Sequence, residues 1–80
     1  MEKRLSELKP GEKGIILRVE GSGATKRRIL DMGLVRGTEI KVIRRAPLGD
    51  PVEFLLKGYN LSLRKSEGDN VYVRVEEGDK

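Results

Sequence analysis

Apolar side chains recur at every second position through most of the chain, and the breaks in that rhythm fall on glycine and proline. Residues 14–20 (GIILRVE) place Ile15, Leu17 and Val19 on one face, with Arg18 and Glu20 on the other. A period of two is the pattern of a half-buried strand. Residues 38–45 (TEIKVIRR) alternate in the same way, with Ile40 and Val42 inward. In residues 52–57, Val52, Phe54 and Leu56 oppose Glu53, Leu55 and Lys57. After Gly58, Tyr59, Leu61 and Leu63 form the inward set, and the turn between the two runs takes in Lys57 or Tyr59. Val71, Val73 and Val75 mark a last strand. Before all of these, Leu5 and Leu8 lie three apart in a polar lead-in and predict a one-turn cap over one end of the core.

One segment breaks the alternation. Residues 24–32 (ATKRRILDM) predict the chain's single helix, roughly two and a half turns at 3.6 residues per turn. Ser22 or Gly23 supplies its N-cap, and Gly33 stands where a left-handed residue ends a helix, with Leu34 closing the cap. A helix this short is held by packing rather than by its own propensity. Residues 65–69 (KSEGD) predict a turn. Between the strands lies APLGDP, residues 46–51, in which Ala46 and Asp50 each precede a proline and are pushed toward extended backbone. Gly49 takes positive φ at the tip of that loop. Five short strands separated by turn signals, with one inserted helix, predict an all-β chain: a small SH3-like five-stranded β-barrel. Residues 1–80 are expected to form one domain with a frayed tail at 76–80.

Composition narrows the function more than the fold. With one Phe and no Trp the core is aliphatic. The net charge of +4 comes from 17 bases interspersed with 13 acids, a mixed surface that does not by itself choose a partner. There is no cysteine and no histidine. The usual neutral-pH base, the thiolate nucleophile and the ligands that hold transition metals well are therefore all missing. The serines have no imidazole to activate them, and Met32, a soft thioether beside Leu30, belongs to the core. GSGATK, residues 21–26, departs from a phosphate loop, which needs four residues between its glycines and then Gly-Lys-Ser/Thr. No enzyme, cofactor or metal site is expected. Without an apolar h-region or a membrane-length apolar run, the chain is expected to be cytoplasmic.

The candidate chemistry is therefore that of a surface. The helix carries Lys26, Arg27 and Arg28 in succession, then Asp31. Ile29 and Leu30 are adjacent at 100° spacing, so they cannot both point squarely at one core. An apolar anchor rimmed by arginine is the residue mix of interface hot spots. The APLGDP loop offers a second such element, pre-organised and presenting Leu48 and Asp50 with Pro51 fixing its shape. A small basic barrel that binds RNA is the competing reading, but it asks for stacking aromatics, and only Tyr72 is expected to face outward. A self-assembling structural module, a homo-oligomer, is a third.

KRRILDMGLVRGTEIKVIRRAPLGDPVEFLLKGYNLSLRKSEGDNVYV, residues 26–73, resembles the ferrous iron transport protein A (FeoA) family. The resemblance extends back through LKPGEKGIILRV to Leu5 and is carried by RILDMGLVRGTEI, APLGDP and LSLRKSE together. Gly68 departs from it, standing where the family often has alanine. The resemblance implies a detached SH3-like domain of the kind also found at the C-terminus of iron- and manganese-dependent repressors. No DNA-binding helix pair precedes it here, so a full metalloregulator is not expected. It further implies a cytoplasmic accessory of ferrous iron uptake that docks on the cytosolic GTP-binding region of the membrane transporter FeoB, peripheral to the membrane through that transporter. Nucleic acid is disfavoured as a partner. The residues expected to contribute are Arg27, Arg28, Ile29, Asp31, Leu48, Asp50 and Pro51. Arg27 and Arg28 would pair with acids of the partner, and Ile29 or Leu48 would be the buried anchor.

Overall fold

A computed structural model describes residues 1–75, so the expected fraying at 76–80 lies outside the described residues. Its strands are β1 (Glu2–Arg4), β2 (Lys13–Val19), β3 (Glu39–Arg45), β4 (Val52–Leu56), β5 (Tyr59–Leu63) and β6 (Val71–Val75). They form one antiparallel sheet in the order β1-β6-β2-β3-β4-β5. The sheet curls around a core of Leu5, Leu8, Ile16, Ile29, Leu34, Ile40, Val42, Phe54, Leu63, Val71 and Val73, all almost wholly buried. There are six strands where five were expected. The additional one, β1, has three residues and no apolar alternation, because it pairs with β6 only at the sheet's margin. The hydrogen-bonded order begins at β1 and ends at β5, so each of these keeps one unladdered edge among the described residues.

One strand corrects the phase read from the alternation, and another the depth of its burial. In β2 the core residue is Ile16, while Ile15 and Leu17 are only partly buried. Gly14 shares the inward phase: a Cβ there would lie 2.8 Å from the Arg74 carbonyl oxygen. A bulge between Ile16 and Arg18 then shifts the register by one, so that Val19 points inward after it. Three consecutive apolar residues carry no phase of their own, and the neighbouring β6 settled it. In β5 only Leu63 is buried; Leu61 is half-buried and Tyr59 is 44% exposed. β4 and the inner positions of β3 are as the alternation predicts.

Leu5 and Leu8 are buried at either end of a 3₁₀ turn, Leu5–Glu7, and cap the core as expected. Helix α1 (Gly23–Asp31) has Ser22 as its N-cap residue. It ends in a Schellman closure: Gly33 at φ +100° donates to the Leu30 carbonyl at 2.9 Å, and Leu34 donates to Ile29 at 3.4 Å. Residues 65–69 are more than a turn, since Lys65–Gly68 forms a second short helix, α2. Glu67 explains it: its Oε1 accepts the Arg64 N–H at 2.9 Å, satisfying the amide at the helix start. Gly68 is buried against the Ser6 backbone, where an added Cβ would lie 3.3 Å from the Ser6 nitrogen.

Candidate functional site

Seven residues were expected to make the contact surface, and the structure sorts them into three groups. Arg27 and Asp31 are exposed on α1 with no ion-pair partner among the described residues. Arg28 is exposed but engaged, its Nη1 paired with Glu67 Oε2. Ile29 is 0% exposed and packs in the core, so it cannot be an anchor for a partner. The conflict between Ile29 and Leu30 is resolved by burying the first fully and leaving the second at the flank of the apolar stripe.

The loop presents an exposed apolar side chain instead. Leu48 is 96% exposed, which leaves a whole leucine side chain in water. Its backbone is held tightly. The Gly49 N–H donates to the Ala46 carbonyl at 2.7 Å, the Ala46 N–H donates to the Pro51 carbonyl at 2.9 Å, and Gly49 takes φ +93°. Asp50 Oδ1 accepts the Lys65 N–H at 2.8 Å, which satisfies an unpaired amide in the first turn of α2. Asp50 is thus a brace between loop and helix rather than a free contact, while Pro51 is exposed beside it. Burying a leucine contributes about 1.5–3 kcal/mol relative to leaving it in water. A rigid loop loses little entropy when that burial happens.

α2 is the element that the sequence reading missed and that joins the two halves. Its first residue is tied to the loop through Asp50, and its third, Glu67, is tied to α1 through Arg28. Glu67 is 8% exposed, unusual for a carboxylate, and both its oxygens are satisfied. The S/T-x-x-E signature that flags such a cap was hidden because arginine, not serine, occupies the N-cap. We expect Glu67→Ala to lower stability by about 1–2 kcal/mol, the size of a lost helix cap. Urea denaturation checks this, and Glu67→Gln, which keeps the amide acceptor, should cost less.

Two tyrosines, Tyr59 exposed and Tyr72 half-buried, bear on the nucleic-acid reading. The Arg18 guanidinium lies 4.3 Å and that of Arg4 5.8 Å from the Tyr72 ring centroid, and Arg4 Nε donates to the Tyr72 hydroxyl at 3.3 Å. Arg18 is itself paired with Glu2 at 2.8 Å and Glu20 at 2.9 Å. Its pKa is raised further above the ordinary guanidinium value, first by Glu2 and then by Glu20. Tyr59, expected inward, lies on the surface, and its hydroxyl donates to the Met32 carbonyl at 2.7 Å. Each ring is tethered by the protein's own groups. Among the described residues no group of three or more His, Cys, Asp or Glu side chains converges. Among the described residues no helix is long and apolar enough to cross a membrane.

The FeoA domain family matches residues 3–75. A Porphyromonas gingivalis protein, named as a fusion of Fe(2+) transport protein A with the Fe(2+) transporter FeoB, is 46% identical over 72 residues. That match covers 90% of this chain but only 8% of the length of the fusion protein. Among solved structures, a FeoA-like protein from Clostridium acetobutylicum superposes with a TM-score of 0.91 at 39% identity, covering 99% of this chain and 92% of its own. The zinc complex of FeoA from Stenotrophomonas maltophilia, described as an SH3 domain protein, superposes with a TM-score of 0.74 at 28% identity, covering 95% and 89%.

Proposed function

The chain belongs to the FeoA family, and from that premise we propose that it is a non-catalytic accessory of ferrous iron uptake. On this reading it is cytoplasmic, docks on the cytosolic GTP-binding region of a FeoB-type transporter and modulates it. The observation that carries the reading is the relative in which the two names share one polypeptide. Fusion sets the effective concentration of one part at the other, an advantage for parts that bind each other. Leu48 on its braced loop offers an apolar anchor, and Arg27, exposed on α1, offers a positive charge for partner acids.

The test is a pull-down from native membranes and cytosol with the tagged protein, with and without nuclease. Recovery of a GTP-binding membrane transporter, unchanged by nuclease, is the expected result. Recovery of nucleic acid alone, lost on nuclease treatment, would replace the reading with an RNA-binding one. In that case affinity should also fall steeply with salt, because binding would release counterions from the phosphate backbone.

A further inference from the structure

We propose that the outer face of β2, β3 and β4 carries a second docking surface, a lysine-walled groove that takes an acidic segment of a partner protein. The groove is about 370 Å³; Gly11, Lys13, Glu39, Lys41, Leu55 and Lys57 line it, with the buried Leu56 beneath. None of these belongs to the α1 and loop surface, so the inference stands apart from the transporter reading. Lys13 and Lys41 face each other directly in the β2–β3 register, and Lys41 faces Leu55 in the β3–β4 register. Like charges directly opposite across two strands destabilise a sheet. Lys13 is partly compensated by Glu39, whose Oε2 lies 3.4 Å from Nζ. Lys41 and Lys57 have no ion-pair partner among the described residues. The fold therefore carries a positive cluster that its own acids compensate only in part.

The shape and floor of the groove indicate the occupant. At Gly11 the wall is open, with nothing within 4 Å of where a Cβ would sit. Leu55, 39% exposed, is an apolar contact in the middle of the charges. Lysine is a flexible point charge that meets a single carboxylate as readily as a phosphate. Single-stranded nucleic acid is held by stacking on aromatic rings as well as by charge, and neither Tyr59 nor Tyr72 lines this groove. Three lysines against one glutamate around a leucine fit a short run of aspartate and glutamate that includes one aliphatic residue.

The experiment is an amide chemical-shift titration of the isotope-labelled full chain with a synthetic peptide of glutamate and aspartate around a single leucine. Shifts should cluster at Gly11, Lys13, Lys41, Leu55 and Lys57 and fade as salt is raised. The double variant K41E/K57E should weaken binding at least about tenfold, whereas K9E/K26E, with the same change in net charge, should change it less than about twofold. The spectra of both variants report directly whether they fold. Equal losses in the two variants, or shifts scattered over other faces, would overturn the proposal by making the effect one of bulk charge. Displacement of the peptide from these residues by an oligothymidylate would reassign the groove to nucleic acid. Concentration-dependent shifts of the same residues without peptide would reassign it to a second copy of the chain. Transporter capture is read through Leu48 and Arg27, so failure here leaves that reading intact and failure there leaves this one intact.

Discussion

Gly33→Ala is expected to destabilise the protein by about 2–5 kcal/mol, a large part of the stability of a domain this small. Two costs add at this position. The backbone sits at φ +100°, where a Cβ costs roughly 1–2 kcal/mol against the following carbonyl. The new methyl would also clash with the Tyr59 hydroxyl, so the ring must move and give up its hydrogen bond to the Met32 carbonyl. Overpacking of this kind costs about 1–3 kcal/mol. Gly37 separates the two terms: its φ is +91°, but nothing lies within 4 Å of its Cβ position, so Gly37→Ala should show the backbone cost alone. Tyr59→Phe removes the oxygen that clashes, and in that background Gly33→Ala should cost at least about 1 kcal/mol less, a coupling typical of touching residues. Urea denaturation of the four variants measures all of this. Equal destabilisation by Gly33→Ala and Gly37→Ala would show that Tyr59 does not press on the helix end.

Leu48→Asp is expected to weaken the affinity for a FeoB-type transporter by about a hundredfold, or ~2.7 kcal/mol. That is the loss of one buried leucine anchor plus the cost of bringing a carboxylate into its place. The fold should be untouched, because Leu48 is 96% exposed and its loop is held by backbone bonds and Asp50. Arg27→Glu should weaken binding about tenfold at low ionic strength and less as salt rises, mainly through slower association. Arg28→Glu is a poorer probe, because it removes the pair with Glu67 and sets two carboxylates against each other beside α2. Affinities measured with purified transporter, alongside an unfolding curve for each variant, give the answer. If Leu48→Asp binds like the parent chain, the loop is not the anchor.

The candidate site was half legible in the sequence, and the division follows the range of the interactions. Leu48, flanked by two prolines and a glycine, could be read locally, because each of those residues constrains its own backbone. Ile29 could not be separated from Leu30, since both fit the apolar stripe and only the placement of α1 on the sheet decides which is enclosed. Asp50 looked like a free charge because its partner, the Lys65 amide, lies fifteen residues away. No local pattern marks Glu67, since arginine holds the N-cap. Its importance depends on Arg28 of another helix and on the burial that surrounds it.

By itself the sequence determined the β class, the place and the Gly33 closure of α1, the inward faces of β4 and β6, and the glycine at the loop tip. Each of these follows from residue spacing or from the φ a single residue can adopt. The tertiary structure alone decided the sixth strand, the phase of β2, the exposure of Tyr59 and the bracing role of α2. β1 has no apolar rhythm to announce it, and the run of Ile15, Ile16 and Leu17 fits either face until β6 pairs with it. The lysines opposed across β2 and β3 are likewise distant in sequence and become neighbours only when the register is set. Local geometry is encoded by residues next to one another, whereas the burial of a face and the company of a charge depend on which distant strand arrives beside it.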